Sequence, residues 1–386
     1  MLTVLHTPTL VQICLPHLRH NAQLLQQRLG PATLMAVVKA DAYGHGLVPV
    51  ARTLQDVGVR HFAVARVAEA LALREAGVEA PILVLGVAFP EDLPVCAAQQ
   101  LDVTVASPAV AEAVCTAAPR LGLLRVHVKV DTGMGRLGLW PSEVPSIVRQ
   151  LAQTPAVHLV GLWTHLATAD DPQDTFLYQQ LERFEQLCRQ FGDDFEAIHI
   201  ANSSALLRLP ETYWHSPRQQ ARVGAALYGY TSHPQLLRHV GLRPVMRMVS
   251  RVVQVRTVPP GTTISYGRTW AAPDWRRIAV VGAGYGDGVP RRLSNRGRVG
   301  IRGQQFPIVG AVCMDLLMVD LGAPDAAPDV QEGEETVLFG EGGPSIMEVA
   351  AWADTIPYEL SCGVARRVPR CYQETLPSAE PCMENI

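Results

Sequence analysis

Leu34-Met35-Ala36-Val37-Val38-Lys39-Ala40 is a short apolar run with a lysine at its next-to-last position, and seven β-rich runs follow it, at residues 61–65, 81–86, 102–107, 125–131, 159–167, 197–204 and 220–228. Runs this short and β-rich, several of them apolar at nearly every position, suit strands of a buried sheet. Between them lie stretches such as residues 67–75 and 176–187, with apolar side chains three and four apart, the spacing of one helix face. Eight such strand and helix alternations within roughly 200 residues predict an α/β fold, a (β/α)8 TIM-like barrel.

The pattern changes after residue 235. Runs at 246–258, 277–282, 298–301, 307–312, 316–321 and 335–339 are joined by turn residues such as Pro259-Pro260-Gly261, which predicts a mainly β C-terminal domain. The expected division is therefore a barrel over 1–235 and a β domain over 236–386, with a surface loop at 323–329 and a frayed tail from Pro377.

The 386 residues are 48% hydrophobic and 18% charged, enough to bury a large core. A net charge of −3 provides no footprint for nucleic acid or an anionic membrane surface. The eight cysteines show no C-x-x-C pair and no Cys/His cluster at zinc spacing, so neither a disulfide framework nor a metal is expected. No apolar run approaches the ~18 residues of a membrane span, and the N-terminus lacks the pattern of a secretory signal, so the cytoplasm is the expected location.

Of 33 basic residues only two are lysines, Lys39 and Lys129, each ending an apolar run. A desolvated lysine amine can act as nucleophile or base, whereas a guanidinium stays protonated. Taken alone, a strand-end lysine is just as well a structural residue. In a barrel, however, working groups come from the carboxyl ends of the strands. There the sequence puts Lys39, Tyr43, Lys129, Asp131, Arg136, His165, Asn202, Ser203, Arg222 and Gly224. Ser203 and Gly224 have the chemistry of phosphate ligands, a hydroxyl and a closely approachable backbone at a helix start, although each is also an ordinary turn residue.

Ala36-Val-Val-Lys-Ala-Asp-Ala-Tyr-Gly-His-Gly, Lys129-Val-Asp-Thr-Gly-Met-Gly-Arg-Leu-Gly, Thr164-His-Leu-Ala-Thr-Ala-Asp, Ala201-Asn-Ser, Arg222-Val-Gly-Ala-Ala-Leu-Tyr-Gly, Ser265-Tyr-Gly, Cys313-Met-Asp and Arg367-Val-Pro-Arg-Cys-Tyr resemble, in order and over nearly the whole chain, the motifs of bacterial alanine racemases. The resemblance implies a pyridoxal 5′-phosphate (PLP) enzyme that interconverts L- and D-alanine by two bases and supplies D-alanine for peptidoglycan. It also implies a homodimer whose active sites are shared between the barrel of one subunit and the β domain of the other.

The same resemblance implies the roles. Lys39 carries PLP and serves as base on one face of the substrate, and Tyr266 is the acid/base on the other. Tyr43, Ser203, Gly224, Ala225 and Tyr358 hold the phosphate, His165 lies under the cofactor ring, and Arg222 faces the pyridine nitrogen, supported by His199. Arg136 and the backbone of Met314 bind the substrate carboxylate. Lys129, which in some family members carries a CO2-derived carbamate, holds Arg136. Asn202 stands behind the cofactor, and Tyr285 and Asp315 line the entrance. Gly286 and Val223 depart from the family's frequent Ala and Pro, and neither touches a reacting group. Two other readings are a racemase of serine or of broad specificity, and a non-catalytic PLP-binding barrel; the presence of Tyr266, Met314 and Tyr358 beyond the barrel argues against the second.

Overall fold

The structure, a computed structural model, describes residues 7–210, 213–237, 240–325 and 329–375. The first strand is β1 (Leu10–Cys14). Eight parallel strands follow: β2 (Thr33–Val37), β3 (His61–Val64), β4 (Ile82–Val84), β5 (Asp102–Val105), β6 (Leu124–Lys129), β7 (Val157–Trp163), β8 (Ala197–His199) and β9 (Gln219–Val223). They pair in chain order, and β9 returns to β2 with Thr33 opposite Gln220, closing the barrel. The (β/α)8 barrel expected from the eight runs is therefore present. The intervening helices bury the faces their periodicity marks: Val144, Ile147, Val148 and Leu151 on Val144–Gln153, and Leu177, Leu181, Phe184 and Leu187 on Phe176–Phe191.

The remaining strands are β10 (Met246–Val258), β11 (Thr263–Ile264), β12 (Trp270–Ala271), β13 (Arg276–Val281), β14 (Arg298–Ile301), β15 (Gln304–Pro307), β16 (Leu317–Gly322), β17 (Glu335–Phe339) and β18 (Arg370–Gln373). An eight-stranded sheet is organised around the long β10, which pairs with β1, β13 and β17. The mainly β character of this region is as expected. One run is displaced: pairing falls on 304–307 rather than 307–312. Arg302 and Gly303 both adopt positive φ (51° and 74°) and turn β14 directly back into β15, with Ile301 opposite Gln304. Two successive left-handed residues are what a tight hairpin needs.

The chain divides into two compact units, one of residues 18–243 and one of residues 1–17 together with 244–386. The leading strand β1 belongs to the second, lying between β10 and β18 in its sheet. The expected loop at 323–329 falls partly, and the tail from Pro377 wholly, outside the described residues. Among the described residues no helix is long and apolar enough to cross a membrane, and no cluster of His, Cys, Asp and Glu could hold a metal ion.

Candidate active site

Lys39, half-buried just past β2, begins a single turn, Lys39–Tyr43, in which Ala40, Asp41, Ala42 and Tyr43 all have φ of 53–56°. Left-handed backbone costs an L-residue roughly 1–2 kcal/mol, so four in succession must be held from outside. Glu69 accepts from the Ala40 N–H at 2.6 Å, and the Asp41 carboxylate accepts from the Leu47 N–H at 2.7 Å. Backbone bonds from Gly44 to Ala40 and from Gly46 to Asp41 complete the clamp. Strain concentrated beside one lysine is typical of a working residue.

Tyr43 then meets the opposite side of the mouth. The Gly224 backbone lies so near that a Cβ there would stand 2.4 Å from the Tyr43 Oη. Ser203 Oγ accepts from the N–H of Gly224 (3.0 Å) and of Ala226 (3.3 Å), and Ala225 starts the following turn. Two hydroxyls and the backbone N–H groups of Gly224 and Ala226 thus converge. Asn202 has a local task, its side chain capping the helix Ser203–Arg208 by accepting from the Ala205 N–H at 2.9 Å.

Arg222, buried in β9, donates to the carbonyls of Thr164 (2.7 Å), His199 (2.8 Å) and Ile200 (3.3 Å), and to His199 Nδ1 (3.0 Å) and His165 Nδ1 (3.3 Å). It ties the ends of β7 and β8 to β9. Burial and then the Arg136 charge pull its guanidinium down to about 9. His165 is held well below the ordinary histidine range by its enclosure and by the charges of Arg222, Arg136, Lys129 and Lys39. His199 is likewise held neutral by burial and by Arg222.

Lys129 ends β6 with its Nζ over the Trp163 ring, and among the described residues no hydrogen bond or ion pair reaches that nitrogen. Burial first, then Arg222 and Arg136, lower its pKa to about 7. The nearest carboxylate, Asp131, is engaged elsewhere, accepting from the backbone N–H groups of Gly133 (2.9 Å), Gly135 (3.1 Å) and Arg136 (3.0 Å). Burial opposes its charge, but these amides hold it below the usual carboxylate range. The barrel mouth therefore gathers four cations around one carboxylate already satisfied by backbone, an environment suited to an anionic ligand.

The β unit collects a second set. Tyr285 N–H donates to the Cys313 carbonyl (2.9 Å) and Gly286 N–H to the Met314 carbonyl (2.8 Å), zipping the two loops together. Arg367 bridges Asp287 (2.8 Å) and Asp315 (2.7 Å), and a Cβ at Gly286 would stand 2.7 Å from its Nη2. Tyr266 follows Ser265, which has φ 65° and donates to the Ala311 carbonyl at 2.7 Å. Tyr266, Met314 and Tyr285 are 73%, 53% and 44% exposed. Tyr358 sits half-buried on the helix Pro357–Gly363.

Sequence reasoning missed Glu69, Arg367 and a buried polar column inside the barrel: Asp102, Arg125 and His127. The column had a signal. Arg125, His127 and Lys129 alternate along β6, the period that sends side chains to one face of a strand.

Two family models match the chain, the alanine racemase N-terminal domain over residues 13–232 and the alanine racemase C-terminal domain over 245–372. The chain is 42% identical over 375 residues to the alanine racemase of Nostoc sp., covering 93% of this chain and 94% of that protein. It is 42% identical over 370 residues to that of Synechocystis sp., covering 93% and 97%. Among solved structures, alanine racemase from D-cycloserine-producing Streptomyces lavendulae matches with a TM-score of 0.89 at 35% identity, covering 96% of this chain and 98% of that one.

Proposed function

The chain belongs to the alanine racemase family and is an isomerase of amino acids, and we propose from that premise that it interconverts L- and D-alanine with PLP, by a two-base mechanism, for peptidoglycan synthesis. The carrying observation is the mouth itself: His165 kept neutral among Lys39, Lys129, Arg136 and a donor-only Arg222.

The donor set fits PLP. Tyr43 and Ser203 hydroxyls with the backbone at Gly224 and Ala225 suit its phosphate, and the close approach of Gly224 to Tyr43 depends on the missing Cβ. Tyr358 would join them. The Lys39 amine suits its aldehyde, and His165 would lie under its ring. When bound, PLP supplies an electron sink for charge developing at the substrate Cα.

The residues supply the rest. Lys39 Nζ takes or returns a proton on one face of Cα, and Tyr266 Oη does so on the other. Arg136, with the Met314 N–H, receives the substrate carboxylate, for which a forked guanidinium is suited. Arg222 can only donate, so it cannot accept from a protonated ring nitrogen and would keep that nitrogen unprotonated; this favours racemisation over the decarboxylation of related enzymes, which have a carboxylate there. A carbamate on Lys129 would keep Arg136 in place, His199 orients Arg222, and Tyr285 and Asp315 flank the entrance. Because Tyr266 and Met314 are so exposed within one chain, the reading includes a homodimer with shared sites, located in the cytoplasm.

The test is incubation with L-alanine, then L-serine, in deuterated water, following optical rotation and deuterium at Cα. Rotation and deuteration with alanine, lost by ~10²–10⁴-fold or more in Lys39→Ala, are expected. Equal turnover of serine would move the assignment to a broad-specificity racemase, and no exchange at all would leave a PLP-binding protein without catalysis.

A further inference from the structure

Below the mouth, four side chains run in series through the barrel interior. Arg222 Nη1 lies 3.0 Å from His199 Nδ1, His199 Nε2 lies 2.8 Å from His127 Nδ1, and His127 Nε2 lies 3.2 Å from Asp102 Oδ2. The other carboxylate oxygen, Oδ1, accepts from Arg125 Nε at 2.6 Å. Room for the middle ring is built in, since a Cβ on Gly161 would stand 2.1 Å from His127 Nδ1. Trp163 stacks on His199 at 11° and fixes its plane.

A guanidinium has no acceptor and an ionised carboxylate no donor, so the two ends of this series set the same direction for every bond. His199 Nδ1 must accept, which puts its single proton on Nε2; that N–H donates to His127 Nδ1, which puts the second ring's proton on Nε2, facing Asp102. We propose that Asp102 and His127 are positioning residues for Arg222: through His199 they lock the tautomer that offers the guanidinium a lone pair, and they provide its remote counter-charge. Burial opposes the charge on Asp102, yet the bonds from His127 and Arg125 hold its carboxyl below the usual range. The kinetic part of the proposal rests on the racemase reading; the tautomer part does not.

Arg125 makes the device testable. In Asp102→Asn the amide oxygen must face Arg125, which can only donate, so the NH2 faces His127. That reverses both imidazoles and sets an N–H of His199 against an N–H of Arg222. Removing the constraint with Asp102→Asn/Arg125→Met lets the amide rotate and present its oxygen to His127.

The experiment uses the holoenzyme labelled with 15N-histidine. In the wild type both His127 and His199 are expected to have a bare Nδ1 and a protonated Nε2. In Asp102→Asn both reverse, and kcat falls by about 10- to 100-fold with KM nearly unchanged, a fraction of the loss a wrong tautomer causes next to a reacting group. The double variant regains the tautomers and most of kcat. A protonated Nδ1 on either wild-type ring overturns the proposal even if Asp102→Asn fails to fold, as does an Asp102→Asn protein with unchanged tautomers or a double variant without recovery. Failure of the racemase reading is distinguishable, because it appears as absent Cα exchange in the wild type.

Discussion

Lys129 Nζ and the Arg222 guanidinium stand over the same Trp163 ring, 4.4 and 4.5 Å from its centroid. The ring face stabilises each cation, but the two repel one another, and of the pair the ammonium is the group able to release its proton near neutrality.

The first prediction concerns stability. Lys129 falls from 10.5 to about 7 on folding, so between these values the unfolded chain binds one more proton than the folded one. Stability from this group therefore rises with pH across that window and is flat below it. Lys129→Met should be more stable than wild type near pH 7, with the difference shrinking by up to ~1.4 kcal/mol per pH unit as pH increases. Thermal unfolding of both proteins from pH 6.5 to 9.5 checks this; a difference independent of pH contradicts it.

The second follows from the same amine. Its unprotonated fraction near neutrality can attack CO2, forming an N–C bond and releasing one proton, which would leave a carboxylate to hold Arg136. Protein equilibrated with 13C-bicarbonate should show one carbamate carbon resonance by NMR, absent in Lys129→Met. A resonance surviving that substitution would assign the carbamate to another amine.

The third tests the phosphate contacts. In Gly224→Ala the added methyl meets Tyr43 Oη at 2.4 Å, on a backbone (φ −116°, ψ −91°) outside the regions alanine prefers. The clash should displace the Tyr43 ring at a cost of ~1–3 kcal/mol. PLP affinity, titrated by absorbance, is expected to fall at least tenfold while far-ultraviolet dichroism stays unchanged. Unaltered affinity would remove Tyr43 and Gly224 from the proposed phosphate site.

The fourth tests the shared sites. Lys39→Ala and Tyr266→Phe proteins should each be impaired, but a mixed dimer contains one site with both residues intact. Random reassortment makes about half the dimers mixed, so roughly a quarter of wild-type activity should return. No recovery despite demonstrated subunit exchange would mean that Tyr266 acts within its own chain or not at all.

The barrel was legible because strands of a buried parallel sheet leave short β-rich apolar runs at a regular spacing, and Lys39 and Lys129 stood out against an arginine-rich background. Other features have no local signature. Nothing in Leu10–Cys14 tells of a partner more than two hundred residues away in β10, or of β18 beyond that. The left-handed turn after Lys39 is written in Ala-Asp-Ala-Tyr, of which only Asp is at ease there; it is imposed by Glu69 from a neighbouring helix. The displaced hairpin at 304–307 depended on Arg302 accepting a conformation that sequence assigns to Gly or Asn. The Asp102–His127 column was readable in principle, since polar residues at alternate positions of β6 point inward, but the reading stopped at the strand ends.

The placement of β1 sets an order of events on the ribosome. The strand emerges before the barrel, yet its neighbours β10 and β18 come after the whole barrel has been made. At typical rates of roughly 5–20 residues per second, β1 waits on the order of ten seconds or more with both edges unpaired. Residues 18–243 form a continuous segment that can complete its own core during synthesis, whereas the β unit closes only after the last strand has left the tunnel. A nascent chain arrested before residue 246 should therefore carry a folded barrel and an adhesive N-terminal arm, making that arm the segment that most needs a chaperone.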